Sequence, residues 1–170
     1  MPRPTHRGGM GSAVVMLLAE NDRVVWGHVG DPRLYRFRGN QWRQLTVDHS
    51  MAQVLVRMVE VTPNQVRSHP ARNRLLQSLG HAECQIEVSE QKTIRAGDIF
   101  LQCSDGFWGY LMENGMVADL KASVTLDEWL VRMESRLLNR IKELGKQQDQ
   151  DNYTAQAISV GIKSALNKPR

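Results

Sequence analysis

Three short segments combine an acid with the small, turn-forming neighbours that let a carboxylate stand at the rim of a sheet. Gly30-Asp31 follows a strand-like run that ends at Val29. Ser104-Asp105-Gly106 follows the apolar run Ile99 to Cys103, and Asp151-Asn152 precedes the run that starts at Tyr153. Oxygen ligands that converge from several loops and stay partly hydrated suit a hard divalent cation such as Mg²⁺ or Mn²⁺. Asp, Gly and Asn also form turns for backbone reasons alone, and on spacing by itself that simpler reading has the advantage. The two cysteines, Cys84 and Cys103, form no CxxC pair and no zinc-like spacing with the five histidines. Cys103 lies in an apolar run and reads as a buried thiol.

The elements that must position these acids are legible from periodicity. Four strand-like runs come first: Ser12 to Ala19, Arg23 to Val29, Arg33 to Arg38 and Trp42 to Val47. Asn21-Asp22, Gly30-Asp31-Pro32 and Gly39-Asn40 separate them, and Gly39-Asn40 reads as a hairpin turn. Helical spacing follows over Met51 to Met58, a capped start at Thr62-Pro63, and a further helix over Ala71 to Leu79. Strands are expected again at Cys84 to Val88, Asp98 to Cys103 and Tyr153 to Val160. Between the last two, Thr125 to Leu144 carries a capping box, Thr125 with Glu128, and an apolar stripe that includes Trp129, Met133, Leu137 and Ile141. The expectation is an α+β fold with antiparallel pairing.

Composition narrows the function classes. Apolar residues make up 41% and charged residues 24% of 170, which excludes a disordered or fibrous chain. The net charge of +4 is spread along the chain rather than concentrated, so no nucleic acid partner is expected. No apolar stretch is long enough to suggest a membrane partner, and the sparse cysteines suit a reducing, cytoplasmic setting.

The order of the pieces carries more than any one of them. Gly30-Asp31-Pro32-Arg33-Leu34-Tyr35, then Thr46-Val47-Asp48-His49, then Ser104-Asp105-Gly106, then Asp151-Asn152-Tyr153-Thr154 gives GD-x-R-x-Y, T-x-DH, SDG and DN-x-T in series. This series resembles the PPM (type 2C) metal-dependent serine/threonine protein phosphatases, especially the bacterial branch, from about Met10 to Val160. The resemblance implies an α-β-β-α sandwich of antiparallel sheets, here partial. It also implies Mn²⁺ or Mg²⁺ as cofactor and a metal-activated water that hydrolyses phosphoserine or phosphothreonine. Asp105, Asp151 and Asp31 match the family's metal-binding acids. Asp48 and His49 match a motif expected to position rather than ligate, and Arg33 is expected to anchor its strand. Ser50 to Gly80 resembles the flap beside the active site, where His69, Arg72 and Asn73 are candidates to touch substrate.

Some of the pattern departs from the family. Pro32 stands where Ser is usual, and Gly109 where some members carry an acid. The D-G-x-G-G-H motif, with its bridging aspartate, is absent from the chain. The expectation is therefore a single phosphatase-like domain over 1–170 that lacks its N-terminal part, with no complete catalytic centre of its own. The alternative is a catalytically inactive module that binds a phosphoprotein, a kinase or an intact phosphatase. Missing strands would leave a sheet edge open to self-association, with Val14, Val15, Leu17 and Trp26 as candidates for exposure.

Overall fold

The computed structural model describes residues 11–80, 83–146, 148 and 151–161. Two four-stranded antiparallel sheets form its centre. In the first, β1 (Val14–Glu20) pairs with β2 (Arg23–Val29), whose other edge takes the two-residue strands β5 (Glu87–Val88) and β6 (Lys92–Thr93). The second runs in the order β4 (Gln41–Gln44), β3 (Arg33–Arg38), β7 (Ile99–Cys103), β8 (Ala155–Ser159). Arg38 pairs with Gln41 across the Gly39-Asn40 turn, and Gly39 adopts a φ of 57° that glycine tolerates without a Cβ penalty.

Alternation along the strands decides how the layers stack. Val24, Leu34, Ile94 and Phe100 meet between the sheets, with Val15, Leu17 and Trp26 packed against them. The next residues along the second sheet, Tyr35, Phe37, Leu101 and Cys103, point the other way. They are covered by α3 (Glu113–Lys121) and α4 (Leu126–Glu143), through Met116, Trp129, Met133, Leu137 and Ile141. Thr125 accepts from the Glu128 backbone N–H at 3.1 Å, so the expected cap of α4 is present. The Trp129 indole is fully buried and donates to the Met116 carbonyl at 2.9 Å, which removes the cost of burying its N–H.

α1 (Met51–Arg57) forms where helical spacing places it, but several elements differ from the sequence expectation. Residues 71–79 form turns rather than a helix, and Leu75 and Leu79 make single bridges to Ser50 and Ser12. Leu75, Leu76 and Leu79 are exposed, so their spacing had no core face to fill. The strand over Cys84 to Val88 shrinks to its last two residues, and the start at Thr62 opens a 3-10 turn, Pro63–Ser68. The short α2 (Asp105–Trp108) and α3 lack a long apolar stripe and gave no periodic signal. The candidates for exposure also need correction. Val14, Val15, Leu17 and Trp26 are half-buried, whereas Met16 and Leu18 are 68% and 67% exposed. The cause is the strand period of two: Val15 and Leu17 face the second sheet, and Met16 and Leu18 face away from it. Among the described residues no helix is long and apolar enough to cross a membrane.

Candidate metal centre

Each acid reaches the centre through its own piece of backbone. Gly30 ends β2 at a φ of 91°, and an added Cβ there would lie 2.5 Å from that of Ala13. The chain can therefore turn sharply and leave Asp31 buried beneath the rim. The Trp108 indole donates to the Asp31 carbonyl at 3.0 Å, which ties this turn to α2. Asp105 opens α2 directly after β7. Two hydrogen bonds of 3.0 Å join Ser104 to Thr154, one between their backbones and one from the Thr154 N–H to the Ser104 hydroxyl. They lock the SDG turn to the DN-x-T turn. Gly106 makes the approach possible, because a Cβ there would fall 2.3 Å from the Asn152 carbonyl oxygen.

Asp31 has an unusual electrostatic setting. Burial, then repulsion from Asp105 and from Asp48, pushes its carboxyl up to about 7, against weaker help from its own backbone N–H and from Arg33. Arg33 gives its fork to Asp48 instead, with contacts of 2.9 and 2.7 Å. Its guanidinium lies 3.5 Å from the centre of the Trp108 ring. Tyr35 accepts from Arg33 at 3.1 Å and donates to Glu113 at 3.2 Å, and Arg67 completes the chain by pairing with Glu113. Arg33 and Asp48 thus fill the positioning roles expected of them. A carboxyl driven toward neutrality by burial, and then by neighbouring carboxylates, is the setting that a bound cation relieves, so these residues fit a hard divalent ion.

Asp151 is exposed, and its Oδ1 accepts from the Asn152 N–H at 2.8 Å. Asp31, Asp105 and Asp151 do not bring ligand oxygens within 4.8 Å of one another as a trio; among the described residues the group that does so is His28, His49 and Glu87.

Similarity to known proteins follows the same outline. No family model matches the chain. The serine/threonine phosphatase stp of Listeria monocytogenes is 36% identical over 121 residues, which are 71% of this chain and 48% of that protein. The fold superposes on the Mycobacterium tuberculosis phosphatase PstP/Ppp with a TM-score of 0.78 at 26% identity, covering 89% of this chain and 61% of that one. A PstP catalytic domain solved with two manganese ions gives 0.70 at 24%, covering 88% and 60%. The PPM phosphatase MsPP of Mycobacterium smegmatis, solved with cacodylate, gives 0.63 at 32%, covering 81% and 56%.

The chain resembles the PPM family of bacterial serine/threonine phosphatases over 71% of its length.

It spans about half the length of the curated PPM relative described above. Its fold is the α+β, antiparallel-sheet architecture of the PPM neighbours. The segment from Ser50 to Gly80 contacts α2. Arg67 donates to the Trp108 carbonyl at 3.1 Å, and Arg72 donates to the Arg67 carbonyl at 2.9 Å. A Cβ at Gly109 would lie 2.7 Å from the Asp105 carbonyl oxygen and 2.9 Å from Arg72 Nη1, so Arg72 sits over this turn. Asn73 accepts from Arg72 at 3.0 Å, and His69 accepts from the Ala71 N–H at 3.1 Å. Arg72 is therefore brought beside the Asp105 turn, while His69 and Asn73 stabilise their own loop. Sequence reasoning missed Glu113, Arg67 and Trp108, because nothing in local spacing marks the partners of a buried arginine.

Proposed function

We propose that the chain forms part of a metal-dependent protein phosphatase that hydrolyses phosphoserine or phosphothreonine. The observation that carries this reading is the buried Asp31 carboxyl, raised to about 7 by burial and then by repulsion from Asp105, while Arg33 is committed to Asp48. Asp31, Asp105 and, from the adjoining turn, Asp151 would hold Mn²⁺ or Mg²⁺. When bound, the metal supplies a water of lowered pKa and neutralises charge on the phosphoryl oxygens. The residues of this chain bind and orient. Asp31 supplies a carboxylate once its proton leaves, Gly106 lets the Asp105 turn close on the Asp151 turn, and the Arg33-Asp48 pair keeps Arg33 from neutralising Asp31 directly. Relatives named serine/threonine phosphatases support the reaction class.

Partners follow from the same reading: a phosphorylated protein as substrate, and a serine/threonine kinase as the enzyme opposed to it, in a cytoplasmic signalling pair. Self-association is part of the proposal. Met16, Leu18, Ile86 and Val88 are all more than 60% exposed on and beside the first sheet, and this apolar face is what a second copy would cover.

The test is hydrolysis of a phosphothreonine peptide in millimolar Mn²⁺. The chain would be assayed alone and joined to the half of the Listeria phosphatase that it does not match. Little turnover is expected from the chain alone, since the D-G-x-G-G-H motif with its bridging aspartate is absent from it, and metal-dependent turnover from the joined form. Asp105→Asn should abolish that turnover. Activity indifferent to Asp105→Asn, or none in the joined form, would overturn the proposal.

A further inference from the structure

A second cluster of ligating side chains lies away from the aspartates. The register of the first sheet sets His28 of β2 directly opposite Glu87 of β5, so both side chains rise from the same face. The loop that follows β4 brings His49 over them, and the two imidazole rings sit 4.5 Å apart with their planes tilted by 32°. Each of the three residues offers one ligand atom, and the three atoms lie within 4.8 Å of one another.

The hydrogen bonds assign the nitrogens. His28 is 1% exposed, and its Nε2 lies 2.9 Å from the Val47 carbonyl, which can only accept. Nε2 therefore carries the proton, and Nδ1 keeps its lone pair. That Nδ1 is the buried side-chain polar atom, among the described residues, without a hydrogen-bond partner. An acceptor left without a partner inside a protein is destabilising. A metal-binding histidine shows this arrangement: one nitrogen fixed on a backbone carbonyl, the other free to ligate. His49 completes the pair through Nε2, which lies 3.2 Å from Glu87 Oε2. With no metal, a single proton occupies that position, while His49 Nδ1 accepts a long, 3.3 Å contact from the Gly30 N–H. A cation between His49 and Glu87 would replace that proton, leave the ring's proton on Nδ1 and displace the long Gly30 contact. His49 and Glu87 border a cleft of about 360 Å³, which leaves room for water or an outside ligand at a fourth position.

We propose that His28, His49 and Glu87 bind one divalent cation of the zinc class, at a site separate from the aspartate centre. Two imidazoles and one carboxylate suit Zn²⁺, Co²⁺ or Ni²⁺, whereas Mg²⁺ and Mn²⁺ prefer all-oxygen sites. The ion would fasten the 47–50 loop, which starts the flap-like segment, to the first sheet. His49 bonds to Gly30, the neighbour of Asp31, through its backbone N–H at 2.8 Å. An ion at the histidines would therefore act beside the aspartate centre without touching it.

The experiment is a Zn²⁺ titration of the 170-residue chain against a chromophoric chelator, repeated for Glu87→Gln, His49→Gln and Asp105→Asn. One tightly bound Zn²⁺ per chain is expected, weakened at least about tenfold by Glu87→Gln and by His49→Gln and unchanged by Asp105→Asn. Glu87 is half-exposed on a two-residue edge strand, so its variant should fold; far-ultraviolet circular dichroism checks this. Co²⁺ loading of the wild type gives an independent signal, the intense visible absorption of a low-coordinate, nitrogen-ligated ion. No stoichiometric Zn²⁺ binding, Zn²⁺ affinity indifferent to both ligand substitutions, or loss of the ion with Asp105→Asn would overturn the site.

Discussion

Asp31 links the chemistry of the centre to the stability of the chain. Its carboxyl is raised to about 7 in the fold and titrates near 3.8 when unfolded. The folded state therefore holds the extra proton between those values, and the metal-free protein loses stability as pH rises from about 4 to about 7. Above 7 the penalty is complete, on the order of 4 kcal/mol at about 1.4 kcal/mol per unit. Asp31→Asn removes it. Urea melts of the metal-free protein should show the variant more stable than wild type at pH 8 and nearly equal to it at pH 4. Mn²⁺ should stabilise wild type at pH 8 and do little for the variant. A variant less stable than wild type at pH 8 would mean that Asp31 is not strained by its surroundings. The neighbouring Arg33-Asp48 pair behaves differently, because both side chains are buried and bidentate. Asp48→Asn leaves Arg33 charged and poorly matched, at an expected cost of about 3–5 kcal/mol in the same melts. The double change Arg33→Met with Asp48→Leu should cost less than either single change.

At the scale of elements, the centre depends on two turns that meet across β7 and β8. Gly106 is the point of contact, with the Asn152 carbonyl 2.3 Å from any added Cβ. Gly106→Ala must push the DN-x-T turn outward, which moves Asp151 relative to Asp105. The expected cost is about 1–3 kcal/mol of stability, as for other additions to a packed site. Mn²⁺ affinity should fall at least tenfold, an effect that calorimetric titration would resolve. Gly161→Ala, where nothing lies within 4 Å, is the control and should leave both unchanged. Equal Mn²⁺ binding by the two variants would show that the turns do not share an ion.

On the scale of the whole molecule, the two sheets are treated unequally. The second has α3 and α4 across its outer face, and Phe37 packs edge-on against Trp129 at 5.0 Å between ring centres. The outer face of the first carries Met16 and Leu18 in the open. Apolar side chains gathered on an exposed sheet face recruit another surface. Light scattering over a concentration series should show association of the isolated chain. Leu18→Lys together with Val88→Lys should return it to a monomer, since both positions are exposed and the core is untouched. A monodisperse wild type at high concentration would contradict this reading.

Much of this protein is written in residues close together along the chain. The strand-like runs of β2 and β3, the Gly39-Asn40 turn and the Thr125 cap of α4 are local patterns, and local sterics and hydrogen bonds suffice to form them. The ordered acids at Asp31, Asp105 and Asp151 were visible for the same reason: each sits in a turn whose neighbours announce it. Pairings between distant residues were not visible. Glu113 meets Tyr35 across 78 positions, and Arg67 meets Trp108 across 41, so no spacing rule could join them. The apparent helix over 71–79 failed because its leucines found no surface to bury against, and tertiary contact, not propensity, decides such segments. The histidine cluster shows the same division. His28 and Glu87 carry no signal in the sequence and His49 reads there only as a positioning residue; the register of β2 with β5 and the path of one loop bring their ligand atoms together.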